Sequence, residues 1–121
     1  METEVITLYG IPNCDTVKKA RAWLSARGVE VRFHDLRRDG VTPEVLVRWA
    51  SEVGWEALLN RKGTTWRGLP ATERESVSDV TSACALMARL PSLVKRPVVL
   101  WPQGLTVGFD PEDWTRRLIS R

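Results

Sequence analysis

Apolar residues in the first third of the chain change from strand-like to helix-like spacing and back. Residues 5–9 form a short, mostly apolar run that ends at a glycine, which predicts a strand. Over residues 14–27 the apolar positions recur at helical spacing, and Gly28 is suited to end that helix. Residues 29–35 alternate apolar and polar side chains and predict a second strand. This order favours a right-handed βαβ unit with parallel strands.

The middle of the chain contains helical patterns separated by polar turns. Helices are predicted over residues 43–54, 55–59 and 80–90. Thr42 precedes the first of them as an N-cap, with Pro43 at the favourable first position. Ser78 or Asp79 is expected to cap the last of them. Residues 60–68 are polar, basic and interrupted by glycine, so we predict a loop there.

The last part of the chain predicts a β-hairpin and a helix. Residues 98–101 and 105–109 are apolar runs joined by a tight turn, which is typical of two antiparallel strands. Asp110 as a cap and Pro111 directly after it mark the start of the final helix. The apolar residues predicted to share one side of this helix are Trp114, Leu118 and Ile119.

The order of these elements is that of a thioredoxin-like fold. A βαβ unit, a helical middle and a ββα unit predict one α/β thioredoxin-like domain over residues 1–121, with a helical insertion at about 42–92. A chain of 121 residues with 43% hydrophobic and 27% charged residues can bury a core of that size.

Charge and composition exclude several classes of function. The net charge is only +3, and the basic residues are scattered among acidic ones, so a nucleic-acid partner is not expected. There is no apolar run of the ~18 residues that a membrane helix needs. The acidic start at residues 1–4 leads directly into a strand, so we expect no signal peptide and a cytoplasmic protein. One histidine and two separated cysteines offer no metal site.

Cys14 lies where the first predicted strand gives way to the first predicted helix. A thiol at a helix N-terminus is near unpaired backbone N–H groups and the positive end of the helix dipole, which favours the nucleophilic thiolate. Lys18, one turn further on, adds positive charge. The alternative is a buried structural cysteine, but the polar neighbours Asn13 and Asp15 are unusual for a core position. We therefore predict a redox-active cysteine.

Three segments of the chain resemble the arsenate reductase (ArsC) family. They are YGIPNCDTVKKA at 9–20, LLNRKGT at 58–64 and LVKRPVV at 93–99, and they occur in the family's order. Within the family, the similarity is greatest to the Spx/YffB-like branch, which includes glutathione-dependent thiol reductases. The resemblance implies a thioredoxin-like sheet with an inserted helical subdomain.

The resemblance also implies which residues form the active site. Cys14 matches the catalytic cysteine, and Arg61 and Arg96 match arginines that bind the oxyanion substrate. Pro97 matches a proline whose preceding peptide bond is cis, which would turn Arg96 toward the thiol.

Three positions depart from the arsenate reductase pattern. Gly10 stands where those enzymes carry a histidine, and Lys18 replaces an arginine, so the charge stays but the planar guanidinium is lost. A third arginine of the family would fall near Phe109, and this chain has none there. The thiol chemistry is unaffected, whereas the choice among a disulfide, a glutathione adduct and arsenate as substrate stays open.

No second cysteine is placed to complete a redox pair with Cys14. Position 17, where a C-x-x-C motif would have its second thiol, is a valine. Cys84 falls on an apolar helical stripe and is predicted to be a core residue. We therefore expect an external thiol, most simply glutathione, to resolve a mixed disulfide on Cys14.

The function expected from these residues is that of a thiol-dependent oxidoreductase without a bound cofactor. Cys14 attacks the substrate, while Arg61, Arg96 and Lys18 bind its anionic part or glutathione. Glutathione serves as co-substrate, and glutaredoxin is the expected protein partner. The alternative is an Spx-like transcriptional regulator that binds RNA polymerase. Such regulators typically use a C-x-x-C switch, which Val17 removes here.

Overall fold

The computed structural model describes residues 5–120, without the side chain of Ser120, and the chain divides into two compact units. The first unit contains the residues up to Asp35 and those from Arg96 onward, and the second is Leu36–Lys95. The second unit encloses the segment predicted as a helical insertion. Residues 1–4, on which the expectation about a signal peptide rests, lie outside the described residues.

The first unit is a four-stranded mixed sheet with two helices. Its elements, numbered along the whole chain, are β1 (Ile6–Gly10), α1 (Asp15–Ala26), β2 (Val31–Asp35), β3 (Val98–Trp101), β4 (Gly104–Val107) and α8 (Pro111–Ser120). The strand order is β2-β1-β3-β4. β1 and β2 are parallel, whereas β3 is antiparallel to both β1 and β4. This confirms the thioredoxin-like α/β fold, including the predicted βαβ unit and the hairpin.

The core of the first unit forms on one face of this sheet. Helix α1 contributes Val17, Ala20 and Leu24, all fully buried, which is the stripe that the helical spacing indicated. Helix α8 contributes Trp114, which is also fully buried, and its ring centroid lies 5.1 Å from that of Trp101. Both helices therefore pack against the same face of the sheet.

The prediction that Ile119 shares the inner side of α8 was wrong. Leu118 is partly buried against the core, four residues after Trp114, but the side chain of Ile119 is 78% exposed. Five residues do not complete a whole number of helical turns, so position 119 lies well around the helix from position 114. The apolar side of α8 is consequently narrower than its sequence indicated.

Gly10 and Val17 approach each other too closely for any side chain at position 10. A Cβ built on Gly10 would lie 2.8 Å from Val17 Cγ2 and 2.9 Å from Val17 Cγ1. Gly10 ends β1 and is buried, while Val17 is held in the core by α1. The glycine that precedes the Cys14 loop is therefore required by packing.

The second unit is helical. Its elements are α2 (Leu36–Asp39), α3 (Pro43–Val53), α4 (Trp55–Leu58), α5 (Thr64–Arg67), α6 (Ala71–Glu75), α7 (Val80–Arg89) and a 3₁₀ turn at Pro91–Leu93. As predicted, Thr42 caps α3, and its Oγ1 accepts a hydrogen bond from the N–H of Val45 at 3.2 Å. Asp79 rather than Ser78 caps α7, where its carboxylate accepts from the N–H of Ser82 at 2.9 Å.

Three short helices were not predicted from the sequence. α2 and α6 fall in segments without a predicted element, and α5 lies within the segment predicted as a loop. Each has four or five residues, which is little more than one turn and leaves no repeat for apolar spacing to reveal. The long helices were predicted because α3 and α7 each bury a recurring stripe, and they pack against each other.

Within the described part of the chain, no helix combines the length and the apolar character that crossing a bilayer requires.

We expect Gly10→Ala to destabilise the protein by about 1–3 kcal/mol, since the added methyl group overpacks the contact with Val17. The free energy of unfolding, measured by chemical denaturation, tests this. The same substitution made in a Val17→Ala background, where both clashing methyl groups are gone, should have much less effect. An equal loss in both backgrounds would show that the Gly10–Val17 contact is not the cause.

Candidate active site

Cys14 is the N-cap residue of α1, and its side chain is half-buried. Its N–H donates to the carbonyl of Ile11 at 3.1 Å, which closes a turn after β1. Its own carbonyl accepts from the N–H of Lys18 at 2.9 Å, which begins the helix. Because α1 is fixed by its buried stripe and β1 by the sheet, the thiol is held between two rigid elements.

The surroundings of Cys14 stabilise its thiolate form. Burial acts to raise the pKa of the thiol, but the N–H groups of Val17 and Thr16, together with the hydrogen bond and charge of Arg96, outweigh it. The pKa of Cys14 is therefore below that of an ordinary cysteine. The Cys14 side chain makes no cap hydrogen bond in the structure. The N–H groups at the start of α1 therefore favour the thiolate through their partial positive charge. A larger share of this thiol is thus nucleophilic at neutral pH.

Arg96 is the predicted site residue that the structure places against Cys14. It is half-buried, and its side chain both hydrogen-bonds the thiol and acts on it through charge. The peptide bond between Arg96 and the buried Pro97 is cis, in agreement with the resemblance. The carbonyl of Pro97 accepts a hydrogen bond from the N–H of Gly108 at 2.8 Å, which connects the start of β3 to the end of the hairpin.

Lys18 lies on the first turn of α1, and its side chain is exposed. The groups that lower the pKa of Cys14 are the backbone at Val17 and Thr16 and the side chain of Arg96. The ammonium group of Lys18 is not among them. Its predicted role as a substrate-binding or glutathione-binding residue stays a prediction.

Arg61 belongs to the second unit and lies in the segment between α4 and α5. Its guanidinium carbon is 5.4 Å from the ring centroid of Trp55 and 5.9 Å from that of Trp66. Its assignment to the site rests on the family resemblance. The sequence pattern did not indicate Trp55 as a neighbour of Arg61. No regular spacing relates Trp55 to Arg61, because a helix end lies between them.

Phe109 stands near the position where a third arginine would be expected from the resemblance. Its ring centroid is 4.9 Å from that of Trp114 and 6.2 Å from that of Trp23, both in edge-to-face geometry. Phe109 is therefore part of the aromatic core of the first unit. An aromatic ring replaces a possible anion-binding group at this place.

The sequence model of the ArsC family matches residues 9–117. The chain belongs to the ArsC family. The match includes Cys14, Arg61 and Arg96, so the family relationship covers both units.

Two curated relatives cover almost all of the chain. An uncharacterised protein from Haemophilus influenzae is 40% identical over 91% of this chain and 96% of its own length. The global transcriptional regulator Spx from Streptococcus pyogenes is 30% identical over 97% of this chain and 87% of its own length. This ArsC-family chain is thus similar to a protein named as a regulator.

Solved structures of similar sequence share its fold. The YFFB protein is 42% identical, with a TM-score of 0.88 over 93% of this chain and 98% of its own. An arsenate reductase (ArsC) related protein from Brucella melitensis is 46% identical, with a TM-score of 0.75 over 96% of both chains. The chain therefore has the arsenate reductase-like fold of the ArsC family.

Replacing Arg96 with methionine should raise the pKa of Cys14, because the hydrogen bond and charge that favour the thiolate are lost. Thiolate would then form only at higher pH, and alkylation by iodoacetamide at neutral pH would slow. The ultraviolet absorbance of the thiolate as a function of pH measures this in a Cys84→Ala background. Arg32→Met, which removes an exposed charge of the same unit, is the control. An unchanged titration of Arg96→Met would contradict the assigned contact.

Proposed function

We propose that this protein is a glutathione-dependent thiol oxidoreductase in which Cys14 is the only nucleophile. The observation that supports this is the lowered pKa of Cys14, which has Arg96 and the first N–H groups of α1 as its causes. A structural cysteine has no need of a stabilised thiolate. Membership of an arsenate reductase-related family also suggests an oxidoreductase.

The proposed reaction is a thiol–disulfide exchange in two steps. The Cys14 thiolate attacks the glutathione sulfur of a mixed disulfide, which forms a Cys14–glutathione disulfide and releases the substrate as a thiolate. The thiolate of a second glutathione then attacks that disulfide, which restores the Cys14 thiolate and releases oxidised glutathione. Over the cycle, one free glutathione is oxidised for each substrate thiolate released, because the other half of the oxidised glutathione comes from the mixed disulfide itself. Glutaredoxin can take the place of glutathione in the second step.

Neither of the two positions that could hold a second reactive thiol provides one, which supports an external reductant. Val17 occupies the second position of a C-x-x-C motif and is fully buried. Cys84 is 1% exposed, as predicted for a core residue, and burial raises the pKa of its thiol. Neither position offers a thiolate ready to attack a disulfide on Cys14.

Three basic residues have proposed roles in this cycle. Arg96 stabilises the Cys14 thiolate as the attacking group and again as the leaving group of the second step. Arg61 and Lys18 bind the carboxylates of glutathione or the anionic part of the substrate, as the family resemblance implies. The proposal includes a cytoplasmic location, where the glutathione pool keeps thiols reduced.

Cys14→Ser should reduce the glutathione-dependent turnover of a mixed-disulfide substrate to the background rate, because the attacking sulfur is lost. Cys84→Ala, the matched control, should keep the wild-type rate. Mass spectrometry after incubation with oxidised glutathione should find one glutathione on Cys14 and none on Cys84. A Cys14→Ser variant with full activity would overturn the mechanism. Turnover of arsenate in a parallel assay would extend the substrate class to oxyanions.

A second candidate is a transcriptional regulator, which the relationship to Spx favours. In that case, the protein would bind RNA polymerase, and binding would not require a nucleophilic Cys14. A pull-down with purified RNA polymerase separates the two functions. Equal retention of the wild type and Cys14→Ser, together with the absence of thiol turnover, would favour the regulator.

A further inference from the structure

The guanidinium of Arg61 lies near two indole rings. Its Cζ atom is 5.4 Å from the ring centroid of Trp55 and 5.9 Å from that of Trp66, both within the range of a cation–π interaction. Both tryptophans are half-buried, whereas Arg61 is exposed. The charged group is therefore held by rings that are themselves partly packed into the second unit.

The hydrogen-bond donors of Arg61 are not used within residues 5–120. Neither a hydrogen bond nor an ion pair of its side chain occurs in this part of the chain, where its contacts are the two rings. Two other arginines of the same unit use their donors internally. Arg74 donates to the carbonyls of Arg67 and Leu69, and Arg89 pairs with Glu73 at 3.3 Å.

The backbone on either side of Arg61 is fixed. The N–H of Asn60 donates to the carbonyl of Leu93 at 2.8 Å, and Leu59 forms an antiparallel bridge with Val94. The side chain of Asn60 accepts from the N–H of Lys62 at 3.1 Å, which closes a turn around Arg61. The position of Arg61 is thus set by its backbone, and the direction of its side chain by the two rings.

We propose that Trp55 and Trp66 are positioning residues that hold Arg61 ready to bind a carboxylate or another oxyanion. A ring contacts the face of a guanidinium and leaves the N–H donors in its plane free for a fork-shaped contact with two oxygens. The proposal rests on the proposed function, in which Arg61 binds the anionic part of glutathione or of the substrate. It adds that two aromatic residues outside the motif at 58–64 determine the affinity of Arg61 for that anion.

Anion binding at Arg61 is measured without turnover, in the Cys14→Ser protein. The Nε–H signal of Arg61 in ¹H–¹⁵N spectra is titrated with S-methylglutathione and, separately, with sulfate. We expect the signal to move with at least one of them. Movement with S-methylglutathione identifies the carboxylates of glutathione as the ligand, and movement with sulfate alone identifies a small oxyanion.

Removing the rings should weaken that binding. Trp55→Leu and Trp66→Leu are each expected to raise the dissociation constant about two- to fivefold, the equivalent of one exposed cation–π contact. Phenylalanine at either position should restore most of the affinity, because the aromatic face is kept. Lys62→Met, which removes a neighbouring charge of the same turn, is the control and should change the affinity less.

Activity gives an independent measurement in proteins that keep Cys14. The leucine variants should raise KM for glutathione and leave kcat and the rate of Cys14 alkylation by neutral iodoacetamide unchanged. The proposal is overturned if Arg61 responds to neither anion, or if the leucine variants bind as the wild type does. It is also overturned if phenylalanine is no better than leucine. If anions shift the Arg61 signal as expected but the protein with Cys14 shows no turnover, only the proposed function is contradicted.

Discussion

The Cys14 thiolate is stabilised by groups from two segments of the first unit that are distant in sequence. The backbone N–H groups that favour the Cys14 thiolate belong to the start of α1, while the guanidinium that completes its surroundings comes from Arg96, just before β3. Burial of the thiol opposes ionisation, so neither the helix nor the arginine can be lost without a change in reactivity. The packing of α1 against one face of the sheet, in which β3 is paired with β1, holds these groups together.

The same packing explains why the loop before Cys14 differs from that of the arsenate reductases. The histidine expected at position 10 from the family pattern has no room, because the methyl groups of Val17 occupy the space that its Cβ would need. Val17 is also the residue that stands in the second position of a C-x-x-C motif. A single buried valine therefore accompanies two departures from the patterns considered in the sequence analysis, the histidine before the cysteine and the second thiol of a C-x-x-C motif.

In the first unit, an aromatic residue stands near the position where the family resemblance implies an anion-binding arginine. Phe109 packs edge-to-face against Trp114 and Trp23 instead of presenting a cation. The cations that remain differ in how they are held. Arg96 is half-buried against the thiol, and Arg61 is held by two indoles with its donors unused in the described chain.

Most of the fold and part of the site could be predicted from the sequence because the signals are local. The stripe of α1 and the caps at Thr42 and Asp79 each depend on residues within a turn of one another, and the structure confirms them. Cys14 could be selected in the same way, since its place before a helix is visible in the sequence. The one-turn helices α2, α5 and α6 gave no such signal, because none of them has a recurring stripe of buried apolar residues.

Only the tertiary structure decided which residues distant in sequence contact each other. The pairing of Arg96 with Cys14 depends on β3 lying beside β1, and the need for glycine at position 10 depends on α1 returning over the end of β1. The sequence by itself determined that a cysteine begins the first helix of a thioredoxin-like chain. The fold determined its partner, because the charge that stabilises the thiolate comes from Arg96, in the segment before β3.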